Sequence, residues 1–249
     1  MNALPRVAAA LATPFGEDGN VRHDLLTAHC RALLDEGVEA LELFGSTGEA
    51  LSLSVAERTR ALSRLVEEGI DPRRLIVGIS ANALPDAVAL TREALAQGVR
   101  IVLAHPPVFF KDLSRTGIVY WYAHLIVSAA HDDLKLILYH WPRLTGVAID
   151  GEIIAALRDR YPSIVAGYKD SSGDFAHAVE LSERFPDVAV YLGGASRLAS
   201  FIDAGGHGVI CASANVIAAE LMKLMNLKAA EREVQQARIT RLEAVLDAC

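Results

Sequence analysis

Basic charge is in short supply in this 249-residue chain: 24 Lys and Arg stand against 31 Asp and Glu, for a formal net charge of −7. With no basic surplus to neutralise phosphates, a nucleic-acid partner is disfavoured. No block of like charges forms a membrane-binding tail. Cysteine is scarcer. Cys30, Cys211 and Cys249 are too few and too scattered for a disulfide framework or a zinc ribbon, and read as free thiols in a reducing cytoplasm. Long hydrophobic runs are missing too. The apolar run after Arg6 in "MNALPRVAAALATPF" stops at Thr13-Pro14, too soon for a signal peptide. The most apolar helical stretch, "GIVYWYAHLIVSAA", is too short to span a bilayer and carries His124. Together these absences predict a soluble, cytoplasmic protein.

What is present is apolar and periodic. Hydrophobic residues make up 52% of the chain and mean hydropathy is +0.27, ample for one large core. Short apolar runs expected as strands are "VAAALAT", "ALELFG", "LIVGIS", "IVLAHP", "LKLILYHW", "IVAGYKD", "VAVYLGG" and "GVICASANV". Between them lie amphipathic segments such as "HDLLTAHCRALLDEG" and "SVAERTRALSRLVEEG", several running into a glycine (Gly37, Gly69, Gly98) as helix C-caps do. Strand–helix units of about 30 residues, with strands apolar on both faces, predict a parallel sheet covered by helices. Eight such units close a (β/α)8 TIM barrel, an α/β fold, here expected over residues 1–217. Residues 218–249 are expected as a C-terminal helical segment. An open doubly wound sheet would want a Gly-x-Gly-x-x-Gly turn after the first strand, which "TPFGEDGN" does not supply.

Reactive groups in such a barrel belong at the C-terminal ends of strands, where "LFGSTGEALSLS", "LYHWPRLTG" and "GYKDSSGD" put polar residues. Side chains alternate along a strand, so Val165, Gly167 and Lys169 share one face, and Ile137, Tyr139 and Trp141 share one on the neighbouring strand. If those faces point inward, Lys169 meets Tyr139 near the barrel's top, and Gly167 leaves space beneath the lysine. Desolvation there lowers the lysine pKa and yields a neutral, nucleophilic amine. If they point outward, Lys169 is a surface charge paired with Asp170. Tyr139 is either a general acid/base or an amphipathic core tyrosine. The turn "GSTGE" offers backbone N–H groups and two hydroxyls to a small carboxylate, without the Gly-Lys-Ser/Thr ending of a P-loop. For metal binding, His105 and His140 fall near strand ends, but His207 precedes the last strand and lies at the opposite face; no third ligand or His–carboxylate cluster completes a site.

Taken in order, "ATPF", "GSTGEALSLSVAER", "LYHWPRLTGV", "GYKDSSGD" and "GGHGVICASANV" resemble the dihydrodipicolinate synthase / N-acetylneuraminate lyase family of pyruvate-handling Schiff-base enzymes, over residues 7 to 235. The resemblance implies a TIM barrel with further C-terminal helices, of which this chain has fewer than the family norm. It implies that Lys169 forms an imine with a 2-oxo acid and that Tyr139 shuttles protons. Ser46 and Thr47 would hold the carboxylate, with Ser46 linked to Tyr139 in a relay. The Ile210 carbonyl would line the pyruvyl pocket, and Ser171 and Gly193 would touch the rest of the substrate. No metal or cofactor is implied, and the partners are a 2-oxo acid, an aldehyde and, as a homodimer or homotetramer, further copies of the chain.

Departures narrow the expectation. Ser46 stands where the synthase branch has threonine. Leu144 stands where that branch carries a dicarboxylate-binding arginine, and on a regular backbone the adjacent Arg143 points elsewhere. Phe110 replaces the relay tyrosine lent to a neighbouring subunit, and Ala195-Ser196 replace the neuraminate lyase's acidic pair. Arg197 either meets a distal carboxylate or phosphate or is a solvated charge at a helix N-terminus. The expected activity is a class I, pyruvate-type 2-oxo-acid aldolase or lyase acting on a 2-keto-3-deoxy sugar acid or a 4-hydroxy-2-oxo acid, with a dehydratase sharing the same imine. The alternatives are a dihydrodipicolinate-type synthase and a catalytically idle 2-oxo-acid-binding barrel.

Overall fold

The computed structural model describes residues 4–246. Eight parallel strands, in the order β1 to β8, close on themselves into a barrel. They are β1 (Val7–Ala10), β2 (Ala40–Leu43), β3 (Leu75–Gly78), β4 (Ile101–Ala104), β5 (Lys135–His140), β6 (Val165–Asp170), β7 (Ala189–Leu192) and β8 (Gly208–Cys211). The helices that return the chain are α1 (His23–Asp35), α2 (Val55–Glu67), α3 (Leu84–Ala96), α4 (Arg115–Ala129), the single turn α5 (Pro142–Thr145), α6 (Gly151–Arg160), α7 (Phe175–Arg184) and α8 (Leu198–Asp203). After β8 come α9 (Ala214–Asn226), kinked at Ile217, and α10 (Ala229–Leu246). The expected (β/α)8 barrel is the observed fold.

Alternation sorts the strands' side chains into two cores, except at the start of β6: a register shift against β5 turns Val165 outward beside Leu136, so it does not share a face with Gly167 and Lys169 as expected. Leu41, Leu43, Val77, Val102, Leu136, Leu138, Val190 and Val209 face outward into a large shell shared with the helices. Ala8, Ala10, Ala40, Ile76, Leu103, Ile137, Tyr191 and Ile210 fill the interior, the small residues of β1 lying opposite the large ones of β5. The predicted glycine caps are present: Gly37, Gly69 and Gly98 have φ near +90°, and α1 to α3 close by the same paired bonds. In the first, Val38 N–H donates to Leu33 and Gly37 N–H to Leu34, the Schellman pattern that satisfies orphan carbonyls. Ser54 and Glu57 form a capping box at the start of α2. Each return therefore ends at a defined residue, which sets where the next strand begins. No helix among the described residues is long and apolar enough to cross a membrane.

Candidate active site

The register of β5 against β6 pairs Tyr139 with Lys169, so the inward-facing alternative holds. Both project into the top of the barrel, and the ammonium lies 4.5 Å from the centre of the Tyr139 ring. The Tyr139 hydroxyl is 3.2 Å from Ser46 Oγ. Gly167 does not leave space below the lysine. A Cβ there would sit 3.0 Å from Ile137, 3.2 Å from the Ala189 carbonyl and 3.4 Å from the Tyr191 ring. The glycine instead allows Tyr191 to press across the strand and floor the site.

The main departure from expectation is the charge state of the lysine. Lys169 is 3% exposed, and its Nζ donates to Oε2 of the wholly buried Glu42 at 3.2 Å. Burial by itself depresses an amine's pKa, as expected, but the charge and hydrogen bond of Glu42 work against it, and Lys169 is held above its ordinary value. The resting lysine is therefore an ammonium in a buried ion pair. Glu42 was legible only as a lone charge in the apolar run "ALELFG".

The β2–α2 loop is built tightly around this pair. Phe44 and Glu49, at φ of 58° and 52°, bracket "GSTG" in the left-handed region. Non-glycine residues held there cost about 1–3 kcal/mol each, a strain typical of functional loops. Thr13, of the "ATPF" segment, donates to the Gly48 carbonyl at 2.7 Å, and a Cβ on Gly48 would lie 2.8 Å from the Leu11 carbonyl. Ser46 and Thr47, half-buried, thus face the cavity.

That cavity, about 610 Å³, is bounded by Lys169, Tyr139, Ser46, Thr47, Ile210 and Trp141, and extends over Ser171 and Gly193. A Cβ on Gly193 would fall 2.0 Å from Ser171 Oγ, so only glycine lets these two loops meet. All seven predicted site residues therefore border one space. Arg143 also borders it, contrary to expectation. The backbone is not regular there: Trp141 is outside the helical region, Pro142–Thr145 make a single turn, and Gly146 has φ +67°. Leu144 is left 58% exposed and lines a smaller neighbouring cavity with Leu51 and His105. Arg197 stacks over the Phe175 ring at 3.6 Å and lines the main cavity from the other side.

Behind the wall, on the helix-facing side of β5 and β6, is a cluster that sequence spacing did not reveal. His140, Asp170 and His177 bring ligand-type atoms within 4.8 Å of one another, correcting the expectation that no His–carboxylate cluster forms. His177 Nδ1 donates to Asp170 Oδ2 at 2.9 Å, Ser172 N–H donates to Oδ1 at 2.7 Å, and Ile149 N–H donates to His140 Nδ1 at 3.0 Å. Asp170 pairs with the histidine rather than with Lys169. With these atoms already partnered, the trio ties the end of β6 to α7 and so fixes the backbone of Lys169.

Cys30 and Cys211 are free and buried, and burial pushes their thiols up to about 12 and about 11. Cys249 lies outside the described residues.

Residues 3–247 match the model of the dihydrodipicolinate synthetase family. A DapA-like lyase of Chloroflexus aurantiacus is 35% identical over 212 residues, covering 84% of this chain and 70% of that protein. The crystal structure of dihydrodipicolinate synthase from Agrobacterium tumefaciens superposes with a TM-score of 0.83 at 31% identity, covering 94% of this chain and 88% of that one. CdNal from Clostridium difficile, solved in complex with mannosamine, gives 0.88 at 25% identity, covering 99% and 83%.

Proposed function

The chain belongs to the dihydrodipicolinate synthetase family, and from that premise we propose that it is a Schiff-base-forming aldolase or lyase of pyruvate-type 2-oxo acids. The observation that carries this reading is Lys169, buried at the floor of an open cavity with the Tyr139 hydroxyl and Ser46 beside it. Lys169 attacks the keto carbon of the substrate, and loss of water leaves an imine. A protonated imine withdraws electrons from the adjoining carbon far better than a ketone does. The bond beyond that carbon therefore breaks to an enamine, or forms from one. Tyr139 carries protons between the carbinolamine and the substrate hydroxyl, with Ser46 as the next oxygen in the relay. Ser46 and Thr47 hold the carboxylate, and Ile210 walls the pyruvyl end. Ser171 and Gly193 meet the remainder of the substrate.

The rim favours an acid with a second negative group. Arg143 and Arg197 border the cavity, and neither forms an ion pair within 4.0 Å among the described residues. A 2-keto-3-deoxy sugar acid with a phosphate, or a 4-hydroxy-2-oxo diacid, fits such a rim. Arg143 also supports a second reading, the synthase direction, because a guanidinium there would serve the second carboxylate of a dicarboxylic product. We also propose a cytoplasmic location, consistent with the free thiols, and a homodimer or homotetramer, consistent with the adjacent exposed rings of Phe109 and Phe110.

The test is borohydride reduction in the presence of pyruvate, read by intact mass and peptide mapping. An adduct on Lys169 that is absent from Lys169→Ala is expected. Well-folded wild-type protein that takes up no pyruvate would defeat the Schiff-base reading and favour a binding barrel.

A further inference from the structure

Glu42 has no part in the chemistry so far, yet it is the closest charged group to the atom that reacts. It comes from β2, diametrically across the barrel from β6, and lies wholly buried with Oε2 3.2 Å from Lys169 Nζ. Its other oxygen, Oε1, has no hydrogen-bond partner among the described residues. A Cβ on Gly45 would sit 1.9 Å from that oxygen, so the loop that presents Ser46 has been opened by a glycine to admit the carboxylate. The other side chains around the pair are Tyr139 from β5, Cys211 from β8 and Tyr191 from β7, whose hydroxyl turns away to the Pro5 carbonyl at 2.8 Å. Among the described residues, β1, β3 and β4 contribute only apolar side chains to this interior: Ala8, Ala10, Ile76, Ile101 and Leu103. Among the described residues, Glu42 is the one formal negative charge against this lysine inside the barrel.

A buried carboxylate and a buried ammonium each cost several kcal/mol to desolvate alone, and one is tolerated because the other is present. That constraint follows the reaction, because the protonated imine carries the same positive charge at the same nitrogen. We propose that Glu42 is a catalytic residue, the base that frees the Lys169 amine and the counter-ion of the protonated imine that replaces it.

The protons balance within the pair. The ammonium gives one proton to Glu42, leaving a neutral amine and a carboxylic acid. The amine nitrogen adds to the keto carbon while the carbonyl π pair moves to oxygen, and Tyr139 passes the proton lost from nitrogen to that oxygen, giving a neutral carbinolamine. Glu42 then returns its proton to the carbinolamine hydroxyl, the C–O bond breaks, and water leaves. The products are a protonated imine and a carboxylate, as charged as the ammonium–carboxylate pair at the start. Oε1, unpartnered, is free to carry the proton in between. This role rests on the Schiff-base reading above and adds to it the group that makes imine formation at neutral pH workable for a lysine held as an ammonium.

The direction of its pH dependence follows from the charges. With Glu42 present, Lys169 keeps its proton to higher pH than burial allows; with the carboxylate replaced by an amide, burial dominates and the amine frees its proton at lower pH. Cyanoborohydride trapping of pyruvate, followed by intact mass across pH 5 to 9 or so, is the measurement, on full-length wild type, Glu42→Gln and Glu42→Asp, with circular dichroism as the folding check. For Glu42→Gln the acid limb of the trapping profile is expected about one pH unit or more lower. Its kcat for cleavage is expected to fall about 100-fold or more. Glu42→Asp, which keeps the charge, recovers part of that rate. A folded Glu42→Gln protein with the wild-type profile and kcat overturns the proposal. If Glu42→Gln does not fold, Glu42→Asp decides: a slowed, shifted profile supports the role and an unchanged one overturns it. A wild-type protein that traps no pyruvate defeats the Schiff-base reading itself, a result distinct from either.

Discussion

The barrel opens on a cavity at each end, and the two differ in what their charged groups have left to do. The lower one, about 730 Å³, is the larger and holds Arg6, Lys135, Arg158 and His207. Lys135 donates to the Ser163 carbonyl at 2.6 Å, and Arg158 donates to the Pro162 and Val165 carbonyls and lies near Asp187. His207 meets the Leu4 carbonyl and packs edge-on against Tyr191. Lys135, Arg158 and His207 thus tie off loop ends, as groups at the N-terminal face of such barrels do. At the upper end, about 610 Å³, the lysine's partners are a carboxylate and a phenol able to exchange its proton, and two arginines face open space. The comparison shows that neither size nor basic content locates chemistry. What matters is whether a charged group's partners can exchange protons or leave it free to meet a ligand.

Three substitutions sharpen that contrast. Tyr139→Phe removes the hydroxyl beside Ser46 while keeping the ring against Lys169, so kcat should fall about 10²- to 10⁴-fold, as for loss of a general acid/base. Pyruvate trapping on Lys169 should slow but persist, which steady-state kinetics and mass spectrometry together will read. A Tyr139→Phe enzyme with wild-type kcat would remove the tyrosine from the relay. Arg197→Ala should lower kcat/KM about tenfold for a substrate ending in phosphate or carboxylate, the value of a charged hydrogen bond of about 1.5 kcal/mol. Kinetics on a matched substrate with a neutral end should be unchanged, and equal losses on both would deny the rim an anion-binding role. The smallest effect belongs to the lower cavity. Arg158→Met removes donors to two carbonyls, each worth about 1 kcal/mol, and for a chain of this length should lower Tm by about 4–8 °C. Its kcat and KM should match wild type; a kinetic defect without a stability change would break the distinction between the two ends.

Much of this was legible from local pattern. Lys169 and Tyr139 were placed on one face by alternation on neighbouring strands, and the eight apolar runs correspond to the eight strands in order. Gly37, Gly69 and Gly98 marked three helix ends because a left-handed residue is required there. Arg143 was misplaced because its direction depends on a one-turn helix closed by Gly146, which a regular backbone does not anticipate. The His140–Asp170–His177 cluster was missed because α7 swings back beside β6, so proximity comes from packing rather than spacing. The glutamate opposite the lysine left only one trace, a charge where an apolar residue was expected.

By itself the sequence determined the strand count, three helix ends, the family and which lysine and tyrosine share a level on neighbouring strands, since all of these follow from periodicity and motif along short stretches of chain. Tertiary structure decided the state of that lysine. Glu42 and Lys169 are 127 residues apart and belong to strands on opposite walls, and only closure of the barrel brings them to 3.2 Å. Burial alone pulls the amine's pKa down. Burial together with a carboxylate from the far wall produces an ammonium, because a desolvated charge depends on what else is desolvated with it.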